Sequence, residues 1–106
     1  MTPAELDALD VRAARAMGYM PSDYMDRGLW LLPDGRIVAF HPTRSWADCG
    51  LLLDALMFDG FGVSRIGNEW RGSVRALECA YSGWAKAPLA AICLAGCEAL
   101  EKGKGK

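Results

Sequence analysis

The chain has 106 residues, 52% hydrophobic and 24% charged, with a formal net charge of −1. That composition excludes a disordered chain, and the length suffices to bury a core without disulfide staples. No run approaches the ~18 apolar residues of a membrane span, and the amphipathic, acidic start lacks the basic and apolar regions of a secretory signal, so a cytoplasmic protein with no membrane partner is expected.

Charge is unevenly placed. Lys102, Lys104 and Lys106 lie in "EKGKGK", whose alternating glycines predict a flexible tail over 102–106. Residues 1–101, read as a single domain, then carry 9 Lys/Arg against 13 Asp/Glu, a net of −4. Duplex-binding proteins usually show the opposite excess, so nucleic acid is disfavoured as a partner.

The first element is a helix. Thr2 and Glu5 form a capping box, Pro3 suits the first helical position, and Leu6, Leu9, Ala13, Ala16 and Met17 recur at helical spacing up to Gly18. Asp7, Arg12 and Arg15 fall on the solvent side. Pro21, Ser22 and Asp23 mark 19–27 as a loop. In "LWLLPDGRIVAF" a Pro-Asp-Gly turn joins two apolar runs, predicting a hairpin covered on both faces. Ser45 then caps a second helix with Asp48 at N3, a core stripe of Cys49, Leu52, Leu53 and Leu56, and Gly60 as its stop.

Residues 61–77 predict a second hairpin about Gly67-Asn68, pairing Ile66 with Glu69, Arg65 with Trp70, Val63 with Gly72 and Phe61 with Val74. One face then carries Phe61, Val63, Trp70, Val74 and Ala76. The solvated face carries Ser64, Glu69, Arg71, Ser73 and Arg75. "ECAYSGWA" is a further strand, and Pro88 opens a last helix with Leu89, Ile92, Cys93, Gly96 and Leu100 on one stripe. Ala91, Leu94 and Ala95 face the other way, a candidate homodimer contact. The expected fold is α+β, a layered sandwich of three helices on an antiparallel sheet of about five strands, in the order α-β-β-α-β-β-β-α.

Few residues carry recognisable chemistry. Cys93 and Cys97 form a C-x3-C pair inside a helix, while Cys49 and Cys79 stand alone. Zinc signatures repeat close pairs at a second site, so these thiols read as core packing, with no metal or cofactor. His41, the only histidine, sits at a strand end before a proline, without a nucleophile or phosphate-loop motif to accompany it. A small enzyme using His41 is the least favoured reading. Arg71 and Arg75 at i, i+4 on a strand make a basic sheet face with Ser73. Trp46 and Trp84, at element ends, are residue types that dominate protein interfaces. These five residues form the candidate binding surface.

"LDALDVRAARAMGY", "HPTRSWADCGLLLDALMFDGFGV" and "EWRGSVRALECAYSGWAKAPLAAICLAGCEAL" together resemble the phage alpha-beta-alpha sandwich domain family, over about residues 5–101. The motifs are Leu6-Asp7 with Met17-Gly18-Tyr19, Pro42 to Trp46 with Gly60-Phe61, and the ending Ala87-Pro88-Leu89-Ala90-Ala91-Ile92-Cys93. The chain departs from the family in one extra alanine of that ending and in Tyr19 where Trp is common. The resemblance implies an α/β sandwich of bacteriophage or prophage origin, working in the bacterial host cell, and brings no catalytic residue. The function expected is that of a non-enzymatic accessory protein that binds another protein. The alternative is a nucleic-acid-binding module using Arg71, Arg75 and the lysine tail.

Overall fold

The computed structural model describes residues 2–22, 28–56, 60–76 and 79–104. Among them the order is α1 (Pro3–Ala16), β1 (Met20–Pro21), β2 (Leu29–Leu31), β3 (Ile37–Ala39), α2 (Trp46–Ala55), β4 (Gly60–Ile66), β5 (Glu69–Ala76), β6 (Cys79–Ala85) and α3 (Pro88–Lys104). The class is α+β, but the strands form two three-stranded antiparallel sheets, β1-β2-β3 and β4-β5-β6, rather than one sheet of about five. The additional strand is β1, where Met20 and Pro21 pair with Leu31 and Trp30 inside the stretch expected to be loop. Proline is tolerated there because the strand is an edge.

Local chemistry explains most element ends. Thr2 Oγ1 accepts from the Glu5 amide at 3.2 Å while Glu5 Oε1 accepts from the Thr2 amide at 3.3 Å, the predicted capping box. Ser45 Oγ accepts from the Asp48 amide at 3.2 Å and starts α2. That helix stops at Ala55, and Gly60 opens β4 instead of closing the helix. Gly35 at φ +90° and Gly67 at φ +65° supply the left-handed positions of the two hairpin turns. The β4–β5 register is the predicted one at all four pairs.

The first hairpin is covered on one face and only in part on the other, where Leu29 and Leu31 are half-buried. Trp30 is buried opposite the half-buried Val38, whereas Ile37 and Ala39 on the other face are exposed. An apolar run on both faces attracts cover only where a second layer reaches it, and strands of three residues leave little area to hold one.

Helix α3 is the central element. Ala90, Ala91, Ile92, Cys93, Ala95, Cys97 and Ala99 are all buried, which is the pattern of a helix surrounded by protein. Ala91, Leu94 and Ala95, expected on an outer face, lie against β5 and β6. The dimer contact expected through the last helix therefore has no surface at Ala91 and Ala95. On another side Gly96 faces Leu52 of α2 and Leu56, the residue that caps its C-terminus. On a third, Arg12 of α1 holds Glu101 bidentately, with Nη2–Oε1 at 2.6 Å. The helix also continues to Lys104, so Lys102 is not in a free tail: its Nζ lies 2.8 Å from Glu98 and 5.8 Å from the Tyr81 ring centre.

Close packing of α3 on the sheet depends on two cross-strand partners, Gly72 and Gly83. A Cβ on Gly72 would stand 2.5 Å from the Ala91 carbonyl carbon and the Ile92 nitrogen. On Gly83 it would stand 2.6 Å from Leu94 Cβ and 2.7 Å from the Ala91 oxygen. Glycine on the strands and alanine on the helix let the two backbones approach.

Candidate functional site

Because strand side chains alternate, packing α3 on one face of β4-β5-β6 sends the even residues of β4 and β6 and the odd residues of β5 to the other. The register sets them in three rows across the sheet: Ser64–Arg71–Trp84, Gly62–Ser73–Ser82 and Gly60–Arg75–Ala80. Ser64, Arg71, Arg75, Ala80, Ser82 and Trp84 are exposed, Trp84 by 47%. Ser73 is half-buried, and its Oγ donates to the Gly62 carbonyl at 3.4 Å.

The result is a low central row of Gly and Ser between one edge bearing Trp84 and Arg71 and another bearing Arg75. Glu69 and Ile66 close the corner nearest the hairpin turn, and Ile66 is itself exposed. Four of the five candidate residues, Arg71, Ser73, Arg75 and Trp84, thus share one face. Trp46 does not join them. It stands at the start of α2 and, with Cys49, Gly50, Leu53, Asp54 and Phe61, lines a pocket of about 220 Å³ between α2 and β4.

His41 sits in a structural clasp that the sequence did not disclose. Asp10, a carboxylate only 4% exposed, accepts from the Thr43 amide through Oδ1 at 3.0 Å. Its Oδ2 lies 3.5 Å from His41 Nδ1, while the His41 amide donates to Asp48 Oδ2 at 2.8 Å. The imidazole rests on Gly28, where a Cβ would come within 2.6 Å of Cε1. These contacts fasten α1, Gly28 and the start of α2 together. The signal for Asp10 was its position beside Leu9 and Ala13, within the apolar stripe of α1. Asp10→Ala would leave the buried Thr43 amide without an acceptor and is expected to cost about 1–3 kcal/mol in urea unfolding. Asp10→Asn retains the acceptor and should lose less.

Cys49, Cys93 and Cys97 are buried, and Cys79 is exposed at the start of β6. The hydrogen bond between the Cys49 and Cys93 thiols holds Cys49 below its ordinary value and, with burial, drives Cys93 up. Burial pushes Cys97 up to about 12, which leaves it a thiol at neutral pH. Among the described residues, no three His, Cys, Asp or Glu side chains gather as a metal-holding group. No helix among them is long and apolar enough to cross a membrane.

No family model matches the chain, and no curated protein matches it. Among solved structures it is similar to a phage protein from Bacillus cereus ATCC 14579, a 2.0 Å crystal structure. The TM-score is 0.64 at 14% identity, over 95% of this chain and 89% of that one. At that identity the likeness shows a shared fold. It does not show membership of the alpha-beta-alpha sandwich family named above.

Proposed function

We propose that the chain is a phage- or prophage-derived accessory protein, without catalysis of its own, that binds another protein through the open face of the β4-β5-β6 sheet. The observation that carries this reading is the cross-strand pair Arg71–Trp84, held on a face that α3 leaves uncovered. Tryptophan and arginine are the types most enriched among residues that dominate binding energy at protein interfaces. The Gly and Ser row beside them lets a partner approach the backbone. The net charge of −4 over residues 1–101 weighs against a phosphate-driven contact. The phage origin of the similar solved structure supports the phage setting.

The test is affinity capture from prophage-induced host lysate with the wild-type chain and with the Arg71→Ala/Trp84→Ala variant, each treated with nuclease. A stoichiometric protein that survives nuclease and is lost from the variant is the expected result. Against that purified partner, Trp84→Ala should weaken binding by about 2 kcal/mol, roughly thirtyfold. Loss of all bound material on nuclease treatment, with affinity falling steeply as salt rises, would assign the face to nucleic acid instead.

A further inference from the structure

We propose that two copies of the chain join antiparallel through their β4 strands, about a two-fold axis at Val63, with Arg65 of each copy entering the α2–β4 pocket of the other. This does not depend on the function proposed above.

Among the described residues β4 is an edge strand, paired only with β5. It is seven residues long, and its sequence, Gly-Phe-Gly-Val-Ser-Arg-Ile, carries none of the usual guards of an edge: no proline, no lysine, and Arg65 as its one charge. Ile66 and Glu69 flank a two-residue turn and form the hydrogen-bonded pair next to it. Alternate residues of β4 therefore turn their amides and carbonyls away from β5, and Val63 and Arg65 are among them.

Side-chain parity restricts the partner register. Facing residues in an antiparallel pair point to the same side of the sheet, so an odd-numbered β4 residue must face an odd one. With Val63 opposite the second copy's Val63, Arg65 comes opposite the second copy's Phe61. Both side chains lie on the face that carries α3, where the pocket opens.

That pocket fits a guanidinium. Trp46 and Phe61, 57% and 49% exposed, supply two aromatic walls, and Asp54 supplies a carboxylate. Gly50 leaves the floor open, since a Cβ there would meet nothing within 4 Å. Arg65 is exposed and has no ion partner among the described residues. A planar cation between aromatic faces and a carboxylate satisfies both recognition modes of arginine. Each copy offers one arginine and one pocket, so the contact closes on itself and stops at two. The two open sheet faces would merge into one six-stranded surface.

Light scattering of the full chain across a concentration series is the first measurement, with a mass of twice 11.5 kDa expected. Arg65→Glu and Asp54→Lys should each raise the dimer dissociation constant by about tenfold or more, because each sets like charges in the pocket. The double variant restores opposite charges and should recover most of that loss. A chain that is monomeric at several hundred micromolar overturns the proposal. So does a dimer indifferent to both single changes, or a double variant no tighter than the singles. Should a variant fold poorly, hydrogen exchange of the wild-type Val63 amide decides. Protection that rises with concentration supports the pairing, and protection unchanged by dilution overturns it.

Discussion

Gly72→Ala is expected to destabilise the chain by about 3 kcal/mol, near the top of the range for overpacking. The added methyl has nowhere to go. Its position lies 2.5 Å from two main-chain atoms of α3, and backbone cannot rotate aside as a flexible side chain would. Relief requires α3 to lift from β5, which separates Ala91 and Ala95 from the sheet and disturbs the contacts of Gly96 with α2. For a domain of this size the midpoint of thermal unfolding should fall by roughly 12 °C or more. Gly50→Ala is the matched control: it lies inside α2 with open space at Cβ, and helix propensity alone should raise stability by about 0.5–1 kcal/mol. A Gly72→Ala protein as stable as wild type would mean that the helix does not approach the sheet this closely.

Trp30→Ala should cost about 3–5 kcal/mol, the usual range for emptying a large buried aromatic site. Trp30 is among the largest fully buried side chains and the one buried residue of β2. Its sheet has strands of two, three and three residues, too short to persist on backbone hydrogen bonds alone. The loss should therefore be local before it is global. In native-state hydrogen exchange, the amides of β2 and β3 should lose protection at denaturant concentrations that leave β5 and β6 protected. A uniform loss across both sheets would show instead that the two unfold as one unit.

Legibility followed the range of the signal. The capping box at Thr2 and Glu5, the cap at Ser45, the two hairpin turns and the β4–β5 register depend on residues within a few positions of one another, and all stand as read. Ala91 and Ala95 were misplaced because an alanine suits a solvent face and a close helix–sheet contact equally well. The distinction rests on Gly72 and Gly83, distant in sequence, coming to lie opposite that helix. The candidate surface was half legible: period-2 alternation put Arg71, Ser73 and Arg75 on one face, but only the pairing of β6 with β5 added Trp84, and only the placing of α2 set Trp46 apart. Asp10 escaped because burial of a carboxylate is decided by the amide of Thr43, which no local pattern connects to it.

By itself, then, the sequence determined where the helices begin, where the two hairpin turns lie, which residues of β4 and β5 share a face, and that the chain has a packed core. Those outcomes follow from φ preferences, capping atoms and hydrophobic period, all of which act over one or two turns of chain. Tertiary structure alone decided that the strands divide into two sheets, that α3 is enclosed, and that, among the described residues, β4 ends its sheet and Arg71 and Trp84 stand exposed on the face away from α3. Those depend on which surfaces meet, and that is set by the volume and shape of side chains far apart in the chain.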